Sequence, residues 1–244
     1  MGDAAVPAES PVCQQNSFVD RHDAGRRLAH LLRVFRGPDV VVVGIPRGGV
    51  AVASAIADTL RLPLDVLVVD KLRVPHRSMN AFGAISEDDI CIVDDVAMHR
   101  TLLTPEELAE VERNERDRLG RKVARFRGGR PRTGLRGRTV VLVDDGMKTG
   151  ITAQAACRAS YNSGAVRVVL AVPVAPRRIV HALTYHADKV VCLEMPTELT
   201  ALPAHYLRFE QLTDNEVADL LRRTPSGQHD CAPGDECGQP GCAC

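Results

Sequence analysis

Apolar positions along the chain alternate between two patterns. Short unbroken runs rich in Val and Leu read as buried strands: "DVVVVG" (39–44), "LDVLVVDKL" (64–72), "DICIVDDV" (89–96), 139–143, "VRVVLAVPV" (166–174) and "KVVCLEM" (189–195). Between them lie segments whose apolar residues recur at helical spacing. The first, "DRHDAGRRLAHLLRVFRG", carries Leu28, Leu31, Leu32 and Phe35 on one stripe and stops at Gly37. "VAVASAIADTLR" follows the first strand, and a helix over 150–162 follows the strand 139–143. "PRRIVHALTYH" and "TDNEVADLLRR" come later, with Thr213 as a cap for the second of these. "TPEELAEVERNERDRLGRKVARF" opens with Thr104, Pro105 and Glu107, a capping box with proline at the first helical position. From Arg73 to about Asp88 no periodicity is visible.

Strand–helix–strand order of this kind calls for a parallel sheet with helices on both faces. The expectation is one doubly wound α/β domain over 17–224, preceded by a disordered leader (1–16) and followed by a disordered tail rich in Cys, Gly and Pro (225–244). Arginines are dense from 113 to 138, but Glu112, Glu115 and Asp117 are interleaved with the first of them. A solvated helix face explains this better than a surface for a polyanion.

The stretch "VVLVDDGMKTGIT" (140–152) carries the chemistry. A buried strand ends in two carboxylates, Asp144 and Asp145, and runs into a turn suited to an anion. In open parallel sheets ligands bind beyond the carboxyl ends of the strands. Successive N–H groups from Gly146 to Thr152, with the dipole of the following helix, favour a phosphate there. Thr149 and Thr152 add hydroxyl donors, and Gly150 permits close approach. The two aspartates can accept hydrogen bonds from vicinal hydroxyls or help hold hydrated Mg²⁺. A sugar phosphate such as ribose 5-phosphate reconciles acids and anion site in one ligand.

Other nucleotide motifs fit poorly. A Walker loop needs glycines six residues and one residue before its lysine, where Leu142 and Met147 stand relative to Lys148, and "GIPRGG" at 44–49 is not a dinucleotide fingerprint. An aspartate pair also ends a strand in receiver domains, but such a domain usually begins with it.

Composition narrows the setting. The 244 residues carry 31 acidic and 31 basic side chains, so no global field points to nucleic acid or a membrane surface. Aromatic residues make up only 3% of a chain that is 45% hydrophobic, so Val, Leu, Ile and Ala must build the core. No run approaches the roughly 18 apolar residues of a membrane span, and the start of the chain lacks the features of a secretory signal, which implies a cytoplasmic protein. Of eight cysteines, Cys91, Cys157 and Cys192 sit in or beside apolar segments as small core residues, and Cys13 lies in the leader. Cys231, Cys237, Cys242 and Cys244, with His229, have ligand chemistry for Zn²⁺ or Cu⁺, but their spacing matches no paired knuckle. A disordered, redox-sensitive tail is the expectation.

Val140 to Thr152 resembles the thirteen-residue signature of the type I phosphoribosyltransferases: four apolar residues, two acids, three variable positions, Thr-Gly, one variable position and Thr. "GIPRGGVAVASAIA" resembles that family's pyrophosphate loop, "LPLDVLVVDKL" its second strand with a closing lysine, and "FVDRHDAGRRLA" its helix before the core sheet. Together with "AVPVAP" and "LRFEQLTDNEVADLL", these segments are similar to a bacterial subgroup of the family, over about residues 17 to 224.

The resemblance implies the doubly wound fold with a flap and hood, and a glycosyltransferase activity in nucleotide metabolism. Phosphoribosyl pyrophosphate would bind with Mg²⁺, and ribose 5-phosphate would pass to or from a nitrogenous acceptor. It implies that Met147, Lys148, Thr149, Gly150, Ile151 and Thr152 hold the 5-phosphate and that Asp144 and Asp145 contact the ribose hydroxyls, with Mg²⁺ held there through the ligand. Arg47 and Gly48 would bind pyrophosphate, often through a strained or cis peptide in this family, and Lys71 would add charge to it. Arg73 to Asn80 would form the mobile flap, and a homodimer is compatible with the family. Plainer readings make Arg47 a surface charge and Lys71 an ordinary strand-end lysine. The chain departs from the subgroup at Asp70 (usually basic), Arg73 (Gly), Met79 (Glu) and Lys148, where purine-using members carry Asp. The alternative function is a non-catalytic sensor of phosphoribosyl pyrophosphate or a nucleotide.

Overall fold

The computed structural model describes residues 17–74 and 81–223. The leader, positions 75–80 of the flap segment (with His76, Arg77 and Met79) and the tail expected to be disordered lie outside the described residues.

Five parallel strands form the central sheet in the order β2-β1-β6-β7-β8. They are β1 (Val40–Gly44), β2 (Leu64–Val66), β6 (Thr139–Val143), β7 (Arg167–Val174) and β8 (Lys189–Glu194). Alternate residues of each strand point to opposite faces, and here both faces are buried. Val40, Val42, Val141, Val143 and Val169 pack beneath α1 (Arg21–Leu32), α2 (Gly48–Leu60) and α7 (Asp214–Arg223). Val41, Val43, Val140, Leu142 and Leu170 face α5 (Ile151–Asn162) and α6 (Arg177–Leu183). Burial on both sides explains why the strands read as unbroken apolar runs rather than as alternation.

A second, antiparallel sheet has the order β3-β4-β5, from β3 (Val69–Leu72), β4 (Gly83–Ser86) and β5 (Cys91–Val93). Here the structure differs from the sequence expectation twice. "LDVLVVDKL" is two strands, not one. Leu67 still donates its N–H to Gly44 of the main sheet, whereas the Val68 carbonyl accepts from Glu87 of the second sheet. The stretch without periodicity contains β4, whose four residues are all buried and therefore show no alternation.

The short α3 (Asp95–His99) leads to α4 (Pro105–Arg127), which carries the expected capping box. Thr104→Ala should cost about 1 kcal/mol of stability by removing that cap, a loss that urea denaturation would register as a lower midpoint at unchanged slope. In α1, Leu28 and Leu32 enter the core, but Leu31 is 51% exposed, so the apolar stripe is narrower than its spacing implied. Cys157 is fully buried and Cys91 and Cys192 are half-buried. Burial pushes the Cys157 thiol up to about 12, as befits a core residue without a reactive role.

Candidate functional site at the sheet switch point

The chain leaves β1 toward β2 on one side, whereas β6, β7 and β8 build the sheet on the other. The strand order therefore reverses between β1 and β6, where doubly wound sheets open a crevice for ligands. Both candidate loops emerge there, because Gly44 and Val143 are paired at the ends of adjacent strands.

After β1, Ile45 donates its N–H to the Val143 carbonyl at 2.8 Å, and the Pro46–Arg47 peptide is cis. Helix α2 begins at once with Gly48 and Gly49 packed against the other loop. A Cβ on Gly49 would lie 2.5 Å from the Val143 carbonyl oxygen, and one on Gly48 would lie 1.8 Å from Oδ2 of Asp145. Only glycine lets the two loops meet so closely.

After β6, Asp144 and Asp145 have different surroundings. Oδ1 of Asp144 accepts from the Asp145 N–H at 2.8 Å, and the side chain is half-buried at the end of the strand. Desolvation, then the neighbouring charge of Asp145, hold its carboxyl well above the usual 3.8, while Lys71 acts the other way. Asp145 is buried and ion-paired: Nε of Arg21 donates to its Oδ2 at 2.7 Å. Its carbonyl accepts the Tyr206 hydroxyl at 2.5 Å.

The turn then opens α5. Gly150 caps the helix with φ 77°, a left-handed conformation natural for glycine. Among the described residues, the N–H groups of Lys148, Thr149, Gly150, Ile151 and Thr152 have no partner in the chain; the last three belong to the cap and first turn of α5, which a helix leaves unpaired. Lys148 and Thr149 are exposed, and Lys148 makes no ion pair among the described residues. Met147 faces inward: its side chain is 2% exposed and its N–H donates to the Val174 carbonyl at 3.0 Å. It backs the turn and has no free donor.

Arg47 reaches from the first loop to α7, with Nε 2.8 Å from Asp214 Oδ1 and Nη1 donating to the Leu212 carbonyl at 3.4 Å. Asp214 also takes Arg125 at 3.1 Å. Lys71 is exposed on β3, and its charge acts on Asp144. The acidic departure at Asp70 leaves Lys71 unopposed, because Asp70 binds Lys122 at 2.6 Å. The structure thus gathers both aspartates, the 146–152 turn and Gly48 at one crevice, with Lys71 acting from the second sheet and Arg47 turned toward α7.

Sequence reasoning missed Arg21, Tyr206 and Asp214. Arg21 lies 124 residues from Asp145, and the resemblance of "FVDRHDAGRRLA" to the family's first helix was the only hint of its importance.

Residues 20–206 match the family model described as a phosphoribosyl transferase domain. The chain belongs to this family. Two Mycobacterium tuberculosis proteins, from strains CDC 1551 and H37Rv, each named "Putative phosphoribosyl transferase", are 48% identical to it over 206 residues, or 84% of this chain. The chain spans about half, 46%, of the length of those relatives. The crystal structure of TT1426 from Thermus thermophilus superposes with a TM-score of 0.72 at 37% identity, covering 85% of this chain and 98% of that one. The mainly parallel α/β architecture is therefore that of a phosphoribosyltransferase-family fold, and family membership supports the transferase class. Among the described residues, no helix is long and apolar enough to cross a membrane.

Proposed function

We propose that the crevice binds phosphoribosyl pyrophosphate with Mg²⁺ and transfers ribose 5-phosphate to or from a nitrogenous acceptor, with pyrophosphate as the leaving group. One observation carries this reading. At the switch point, a helix-opening turn with unpartnered N–H groups sits directly after an aspartate pair, and Gly48 of a second helix-opening loop touches that pair. The turn suits a terminal phosphate, the half-exposed Asp144 suits sugar hydroxyls, and the head of α2 suits a second anion.

In the forward direction the C1–O bond to pyrophosphate breaks and its electron pair leaves with the pyrophosphate oxygen. The acceptor nitrogen forms the new C1–N bond and gives up its proton to solvent water. Charge therefore grows on the leaving group, and Lys71, with Arg47 once it turns from Asp214, would stabilise it. Asp144, facing the ribose, would also balance the positive charge that develops at C1.

Among the described residues, no cluster of three or more His, Cys, Asp or Glu side chains is arranged to hold a metal ion. Two hard carboxylate oxygens beside a polyphosphate site fit Mg²⁺, which typically takes one or two carboxylates and fills its shell from phosphate and water. Asp144 is the better placed of the two, because Asp145 is already paired. When bound, Mg²⁺ would supply charge neutralisation on the pyrophosphate.

The test is pyrophosphate release from phosphoribosyl pyrophosphate across a panel of bases and amines. Acceptor-dependent release supports the transferase. A sensor function is favoured by the internal engagement of Arg47 and Asp145, and tight binding without release would identify it.

Lys148 serves binding in this reading. An ammonium group has three donors and no acceptor, so it can hold a phosphate oxygen but offers no lone pair to take a proton from an incoming base. Ordinary 6-oxopurines should therefore be inefficient acceptors. Lys148→Ala should weaken phosphoribosyl pyrophosphate binding by roughly 1–3 kcal/mol. Steady-state kinetics with hypoxanthine and guanine, together with calorimetry on the variant, test both statements. Efficient turnover of either purine, or unchanged affinity, would contradict them.

A further inference from the structure

We propose that Arg21 is a positioning residue of this site: by clamping Asp145 it sets the separation between the loop at Gly48 and the turn at 146–152. The inference rests on the proposed binding of phosphoribosyl pyrophosphate.

Arg21 makes three contacts in different directions. Nε donates to Oδ2 of Asp145 at 2.7 Å, Nη1 donates to the Glu210 carbonyl at 2.7 Å, and the guanidinium lies over the Phe209 ring, 3.8 Å from its centre. Both charged side chains are nearly enclosed, Arg21 at 11% and Asp145 at 12% exposure. The clamped oxygen is the one against which Gly48 rests, so Arg21 sets how far the head of α2 stands from the end of β6. Tyr206 fixes Asp145 from the main-chain side.

The frame behind the clamp is stiff. Residues 18–19 pair with 205–208 through backbone bonds of 2.8–2.9 Å: Phe18 N–H to His205, Leu207 N–H to Phe18 and Arg208 N–H to Val19. Helix α1 is docked on α2 so closely that a Cβ on Gly25 would lie 2.5 Å from the Val52 carbonyl oxygen. Two consequences follow. Asp145 is committed to the protein, so Asp144 is the acid presented to the ligand. The two anion-binding loops are also held at a set spacing by a group that touches neither phosphate.

A ligand with an anion at each end depends on that spacing, whereas each half alone does not. Arg21→Lys keeps the charge but not the planar fork or its stacking on Phe209. The experiment is titration calorimetry on the full chain with Mg²⁺, using phosphoribosyl pyrophosphate, inorganic pyrophosphate and ribose 5-phosphate as separate probes. Arg21→Lys should bind phosphoribosyl pyrophosphate about 10- to 100-fold more weakly, the order expected when two binding loops are misplaced by about an ångström. Its affinity for either half alone should stay within about twofold of the parent. Phe209→Leu, which removes the stacking surface but keeps the charge, should give the same pattern with smaller amplitude, and it carries the test if circular dichroism shows Arg21→Lys unfolded. Unchanged phosphoribosyl pyrophosphate affinity in these variants would overturn the inference, as would equal weakening of both halves. A folded parent protein that does not bind phosphoribosyl pyrophosphate would instead overturn the functional reading beneath it.

Discussion

Asp144→Asn and Asp145→Asn should fail in opposite ways. Asp144→Asn is expected to lose phosphoribosyl pyrophosphate affinity by about 1.5–3 kcal/mol, the size of a hydrogen bond to a charged group, while the protein melts no lower than the parent at neutral pH. The sign follows from its titration. Burial and the neighbouring Asp145 hold the Asp144 carboxyl above the usual 3.8, so the folded state binds this proton more tightly than the unfolded chain. Stability is thus lost as pH rises from the ordinary value toward the raised one, and the amide removes that penalty. Asp145→Asn should instead unfold the protein more easily, by about 3–5 kcal/mol, because Arg21 is left as a buried charge without its carboxylate. Thermal melts and calorimetry on the two single variants check both halves. Equal loss of melting temperature in the two would contradict the division of roles.

Gly48→Ala should be nearly as damaging. The added methyl would lie 1.8 Å from Oδ2 of Asp145, 2.3 Å from its Cγ and 2.8 Å from Nε of Arg21. That carboxylate cannot swing away, since Arg21 grips its oxygen and Tyr206 its main chain. The loops must separate, costing about 1–3 kcal/mol of stability by overpacking, and binding of phosphoribosyl pyrophosphate should fall below detection. Gly120→Ala is the matched control. A Cβ at that position in α4 meets nothing within 4 Å, so the change should stabilise by about 0.5–1 kcal/mol through helix propensity. Denaturant midpoints for the pair would decide it, and a Gly48→Ala protein as stable as its parent would refute the packing argument.

The sequence by itself determined the elements of the main sheet and the place of the candidate site. Unbroken Val-rich runs could only be strands covered on both faces, and an aspartate pair before a helix-opening turn marks the carboxyl end of such a strand. These features are local in the chain, which makes them legible in one dimension. The same locality misled where burial erased periodicity: "LDVLVVDKL" is apolar without a break from Val66 to Val69, so nothing in it marks the step at Leu67–Val68 from one sheet to the other. Only the tertiary structure decided which aspartate is committed to a salt bridge within the protein. Asp144 and Asp145 are identical side chains one residue apart, and what separates them is Arg21, 124 positions away. It likewise decided that Arg47 is held by Asp214, that Asp70 answers to Lys122 rather than Lys71, and that Met147 faces the core. Charge pairing acts over a few ångströms of space whatever the distance along the chain, so the partner of a charged group becomes visible only when the chain has folded.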